Sequence, residues 1–308
     1  MGEAERAIPC FDLAISLDPD DPAAHSDKAL CLFDMREYRR AVECCDRAIR
    51  LARARPKRPP APTAKEDCVF SDPALATYTR GRALDAMGEH AAAVEAFGTV
   101  LEMCPGADTV HCSMGFALES MGRFKEAVRH LKMALGRKPN SATYIGALAH
   151  VHWQMGSSTE ALAGYDSAIS LDPNDAGFHQ DRGLVLLDMG LNAEAYEALD
   201  RATGLKQDAA DTWSYKGLAL LHLERSREAF RCIDKAISLD PGYAPAHLIK
   251  GAALLDAGQP RKALECLDRA VRLNPDDKVA REKREVALGQ LSRSGSFWSH
   301  IRGRKGGS

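Results

Sequence analysis

Alanine recurs every 34 residues through most of this chain. Ala93, Ala127, Ala161, Ala195, Ala229 and Ala263 stand 34 apart, and so do Ala7 and Ala41 near the front. A fixed period of this length marks chains built by stacking one supersecondary unit on the next, so it constrains the fold more than any local propensity does. The phrase ISLDP at 15–19, 169–173 and 237–241 keeps the register, and RLNP at 272–275 echoes it.

Setting this alanine as position 20 of a unit places the other recurring residues. Gly81, Gly115, Gly183, Gly217 and Gly251 fall at position 8, with Ala29 and Ala149 as small variants. Position 24 is large in most units (Phe97, Leu131, Tyr165, Leu199, Ile233 and Leu267), and position 32 is Pro19, Pro105, Pro139, Pro173, Pro241 or Pro275. Positions 4, 8 and 11 make one stripe of a first helix, and 20, 24 and 27 one stripe of a second. Small residues at 8 and 20 let the two backbones approach, while the large residues at 11 and 24 fill the space beside them. Met-Gly pairs at 87–88, 121–122, 155–156 and 189–190 mark the turn, where glycine accepts a left-handed cap. Proline at 32 stops the second helix. The unit is an antiparallel helix pair.

This pattern of small, large and proline positions resembles the tetratricopeptide repeat. The resemblance covers seven units, 22–55, 74–107, 108–141, 142–175, 176–209, 210–243 and 244–277. It implies an all-α, right-handed superhelical solenoid of antiparallel helix pairs whose function is to hold other proteins. Arg53 and Gln207 depart from proline at position 32, and Trp213 alone supplies the family's tryptophan at position 4. A second implication, from a different class, is a substrate-presenting fragment of a larger enzyme, since similar arrays precede glycosyltransferase domains.

The register also describes the ends. Residues 1–21 read as a truncated half repeat that lacks its first helix, and Pro9 suggests that its remaining helix starts late or frays. Such a face needs a cap, an upstream segment or self-association to cover it. Residues 56–73, with Pro56, Pro59, Pro60, Pro62 and Pro73, read as a proline-rich surface insertion. Residues 278–292 are expected to form a C-terminal capping helix, and 293–308 a disordered tail.

In the resembling family, positions 5, 9 and 12 of the first helices line a concave groove that holds an extended or helical peptide. Here the candidate partner-binding residues are Tyr78, Arg82, Phe116, His150, Trp153, Gln180 and Leu184. Aromatic and arginine side chains of this kind are common anchors at protein interfaces. Some relatives clamp a chaperone's C-terminal carboxylate with Lys, Asn and Arg at fixed positions of consecutive units. No window here supplies that set, so recognition of that kind is not expected.

Other residue types have structural explanations. His25, His111, His179 and His247 recur at position 4, a slot too widely spaced for ligands to converge on one metal ion. Cys10, Cys44, Cys232 and Cys266 share position 23, beside the core stripe, where small half-buried residues fit, and read as structural thiols. Nine cysteines without a paired CxxC or a secretory leader suggest a reducing compartment.

The sequence contains no phosphate loop, nucleophile elbow or zinc motif, so the expectation is a non-enzymatic chain without cofactors. A net charge of −2 disfavours nucleic acid as a partner, and no apolar stretch is long enough to span a membrane. The expected location is the cytoplasm. The basic segment 47–60 leaves the nucleus as an alternative.

Overall fold

The computed structural model describes residues 2–54 and 72–304, with side chains placed for 4–54 and 73–293. Sixteen α-helices make up the described residues, which divide into two compact bodies, Met1–Leu171 and Asp172–Ser308. The first holds α1 (Gly2–Leu17), α2 (Pro22–Asp34), α3 (Tyr38–Ala54), α4 (Asp72–Ala86), α5 (His90–Met103), α6 (Asp108–Ser120), α7 (Phe124–Arg137), α8 (Ala142–Gln154) and α9 (Ser158–Leu171). The second holds α10 (Ala176–Asp188), α11 (Asn192–Leu205), α12 (Ala210–His222), α13 (Ser226–Leu239), α14 (Ala244–Asp256), α15 (Pro260–Leu273) and α16 (Lys278–Arg304). Within each body, antiparallel pairs such as α4/α5 and α12/α13 pack side by side, each pair stacking on the next.

The turns inside the pairs follow one rule. Position 15 takes a left-handed backbone in every full pair, and glycine supplies it at Gly88, Gly122, Gly156, Gly190 and Gly258. Arg36 (φ 62°) and Glu224 (φ 59°) adopt the same conformation without glycine's freedom. Where the chain enters a new pair, a side chain often caps the first helix. Asp21 accepts from the amides of Ala23 and Ala24, and Asp175 from those of Gly177 and Phe178.

The core is the meeting of the two stripes. Phe97, Leu131, Tyr165, Leu199, Ile233 and Leu267 at position 24 are fully buried, as are the alanines at position 20 of the seven full units. Each such aliphatic or aromatic side chain contributes roughly 1.5–3 kcal/mol through burial. At Gly81 the approach is so close that a methyl group would lie 2.6 Å from a ring carbon of Phe97.

Two expectations about the ends are corrected. Helix α1 neither starts late nor frays at Pro9, for it runs unbroken from Gly2 to Leu17 with Pro9 inside it. Pro9 removes one backbone hydrogen bond, but both it and Glu5, whose carbonyl is freed, face solvent, where water can replace the lost donor. At the other end α16 continues past residue 292, its helical backbone reaching Arg304 through a stretch without proline. The insertion at 56–73 lies outside the described residues except for Asp72 and Pro73, which open α4, and 305–308 likewise lie outside them.

Candidate functional site

The seven candidate residues are divided between the two bodies. Tyr78, Arg82, Phe116, His150 and Trp153 lie in the first, on α4, α6 and α8, while Gln180 and Leu184 lie on α10 of the second. Helical periodicity puts positions 5, 9 and 12 on one face, but packing treats the three differently.

Position 5 sinks between helices. Ser26, Cys112, Gly146 and Ser214 are buried there. Tyr78 is half-buried, its hydroxyl 3.0 Å from Ser113 Oγ and its ring 5.9 Å from that of Phe97. Gln180 uses both ends of its amide on α12, donating to Asp211 Oδ2 at 3.1 Å and accepting from Thr212 Oγ1 at 2.5 Å. Tyr78 and Gln180 are therefore positioned by neighbouring pairs, and Gln180 has its carbonyl and one amide hydrogen engaged.

On α4, α6 and α8, positions 9 and 12 are the more open ones, and Arg82 and His150 at position 9 each meet position 12 of the preceding pair. The Arg82 guanidinium lies 4.2 Å from the centre of the Phe33 ring and 5.8 Å from that of Tyr78. His150 Nδ1 is 2.5 Å from Glu119 Oε1, and its ring meets Trp153 edge-on at 5.7 Å. Between them stands Phe116, 39% exposed and the most exposed aromatic core-sized residue of these three helices. Asp85, at position 12 beneath it, is bound to His90 at 2.7 Å. Phe33 and Glu119 hold Arg82 and His150 in place but are not among the residues singled out from sequence. Their signal was present, since each occupies position 12 one unit earlier.

The second body presents a more aliphatic surface. Leu184 is half-buried there, and a cavity of about 450 Å³ is lined by Leu218, Leu221, Phe230, Leu248, Ala252 and Val279 among others.

The histidine series proves to be a structural hydrogen-bond device. His25, His111, His179 and His247 each place Nε2 at 2.9–3.2 Å from the carbonyl of the proline six residues earlier, at position 32. Trp213 does the same with its indole N–H, 2.9 Å from the Gln207 carbonyl. Gln207, which departs from proline at position 32, still serves this bond, because the bond needs a carbonyl and not a proline. His111 continues the chain through Nδ1 to His130 Nδ1 at 3.0 Å, and burial together with His111 lowers the His130 pKa.

Burial pushes up the pKa of Cys44, Cys232 and Cys266 at position 23, and that of Cys45 to about 12, which makes them poor nucleophiles at neutral pH. Cys104, which is not one of the position-23 cysteines, is disulfide-bonded. It sits at position 31, in the turn after α5.

A further periodic contact was not anticipated. Asp at position 25 pairs with Lys or Arg at position 7 of the next unit: Asp12–Lys28, Asp46–Arg80, Asp200–Lys216, Asp234–Lys250 and Asp268–Arg284, at 2.5–2.7 Å. Arg284 extends this register into α16, which packs on α15 as the first helix of another unit would. In the stretch that carries the aromatic groove residues, Gly98, Lys132, Met114 and Leu148 occupy these positions and cannot form the pair.

Stacked helix pairs with one open, aromatic-bearing face define a helical-repeat protein. Tetratricopeptide-repeat family models match residues 1–59, 78–142, 112–176 and 181–244, and a second model of that description matches 220–283. The chain belongs to the tetratricopeptide repeat family, whose members generally serve protein–protein interaction. Among solved structures it is similar to a chain of the APC/C hetero-tetramer Cut9–Hcn1, with a TM-score of 0.67, 15% identity, and 92% of this chain covered. The match spans 52% of that chain. A tetratricopeptide repeat protein from Parabacteroides merdae is similar over 87% of this chain and 98% of its own, with a TM-score of 0.67 and 12% identity. Pseudomonas aeruginosa pilF matches 67% of this chain and 94% of its own, with a TM-score of 0.58 and 18% identity. At these identities the similarity concerns the fold. Among the described residues no helix is long and apolar enough to cross a membrane.

Proposed function

We propose that this chain is an interaction scaffold that holds a peptide or helix of a partner protein along the inner faces of α4, α6 and α8. The observation that carries this reading is Phe116, an exposed aromatic set between the Arg82–Phe33–Tyr78 stack and the His150–Trp153 pair. An exposed ring on an otherwise well-packed helix surface gains burial when a second molecule covers it, and aromatic side chains flanked by a guanidinium are typical anchors. Gln180 and Leu184 belong to the same register on α10 and are candidates for secondary contact in the second body.

The test is a random-peptide library selected on the whole chain, followed by affinity measurements on the selected peptides. Phe116→Ala with Trp153→Ala should abolish their binding while the far-ultraviolet circular dichroism stays helical. Full binding by the double variant would overturn the reading.

A further inference from the structure

Arg82 differs from the basic residues that serve the repeat. Arg80, two residues away on the same helix, is paired with Asp46, and Lys28, Lys216, Lys250 and Arg284 at position 7 of other units are paired with aspartates in the same way. Arg82 makes no hydrogen bond or ion pair among the described residues. It has only ring faces, Phe33 at 4.2 Å and Tyr78 at 5.8 Å. Tyr78 is itself fixed by Ser113 and Phe97, so the guanidinium rests on a preformed aromatic seat. Contact with ring faces leaves the guanidinium its hydrogen-bond donors, and partial removal from water strengthens any charge-assisted bond they make.

The carboxylates of the same face are already committed. Asp85 holds His90, and Glu119 holds His150. Among the described residues, the open surface of α4, α6 and α8 therefore carries one unpaired fixed cation, Arg82, with the exposed phenyl ring of Phe116 on α6.

Resting on the groove reading above, we propose that Arg82 reads a carboxylate on the bound peptide, supplied by an aspartate or glutamate side chain, while an apolar residue of the same peptide covers Phe116. The planar fork of the guanidinium matches a carboxylate bidentately, which a lysine in its place would not do. The carboxylate thereby sets the position and direction of the peptide along the groove.

The experiment uses synthetic copies of library-selected peptides, binding the whole chain at low and at high salt. The expected result is an Asp or Glu at a shared position in the selected set, with binding that weakens as salt rises. Arg82→Glu should weaken it about tenfold or more. Replacing the peptide's acidic residue by Lys should restore binding to Arg82→Glu, and amidating the peptide C-terminus should change nothing. Arg82→Met, which keeps apolar contact with Phe33, should lose binding with little change in melting temperature.

Selected peptides without a shared acidic residue, or unchanged binding by Arg82→Glu, would overturn the proposal. Loss on amidation would overturn the side-chain assignment in favour of a terminal carboxylate. If such acid-free peptides still depend on Phe116 and Trp153, the groove stands and only the role of Arg82 falls. If no peptide depends on Phe116 and Trp153, the groove itself falls.

Discussion

A methyl group placed on Gly183 would lie 2.6 Å from Leu199 Cγ, closer than two carbons can approach. The same relation holds between position 8 and position 24 in four other units, so helix spacing and core volume are set together at this pair. The chain solves the conflict differently where position 8 is not glycine. At Ala149 the opposing helix supplies Gly164, where an added methyl would lie 2.6 Å from Ala149 Cβ. At Ala29 position 24 is the smaller Cys45.

Gly183→Ala should therefore destabilise the second body by about 1–3 kcal/mol, as overpacking does elsewhere. Adding Leu199→Cys, which copies the Ala29 and Cys45 combination, should recover part of that loss. Urea unfolding of the two single variants and the double variant checks this, and simple additivity of the two costs would contradict it.

Glu224 holds a left-handed backbone (φ 59°) at the position where five other pairs use glycine. Glu224→Gly should raise stability by about 1 kcal/mol, because a side chain in that conformation crowds its own backbone. The reciprocal change, Gly190→Ala at φ 73°, should lower stability by a similar amount. Thermal melts of both variants should move in opposite directions.

His111 donates through Nε2 to the Pro105 carbonyl, so in its neutral form Nδ1 is left to accept from His130. Protonating both rings would set two N–H groups against each other, with Arg129 nearby adding to the repulsion and Glu126 offsetting some of it. The folded pKa of His130 is lowered, so the unfolded chain binds the proton first and stability falls as pH drops below the ordinary histidine value of 6.5. His130→Gln should show a smaller loss of urea midpoint than the native chain between about pH 7.5 and 5.5. Equal losses would remove His130 from the account.

The position-4 histidines act as hydrogen-bond donors to a backbone carbonyl, which separates them from metal ligands by experiment. His179→Phe should lose the bond to the Pro173 carbonyl and about 0.5–1.5 kcal/mol of stability, while His179→Gln, which keeps a donor, should lose less. Added zinc should leave the melting temperature of the native chain unmoved.

Much of the architecture is legible in the sequence. The recurrence of Ala, Gly and Pro at fixed positions reports short-range sterics: which residue fits where two helices nearly touch, which one turns the chain, which one ends a helix. These rules act within one unit and repeat, so they can be read from spacing alone. The candidate site was legible only as a register. Positions 5, 9 and 12 share a face by periodicity, yet Gln180 is hydrogen-bonded into the neighbouring pair while Phe116 stands open.

What the amino-acid sequence determined by itself is the unit, because the unit is set by contacts between residues fewer than 34 apart. What only the tertiary structure decided is which side chains of one unit are engaged by the next. The seating of Arg82 on Phe33, the pairing of Glu119 with His150 and the ladder of Asp at position 25 with Lys or Arg at position 7 are all of this kind. They depend on how far one helix pair is displaced along its neighbour, and a displacement of one helical turn would exchange every partner.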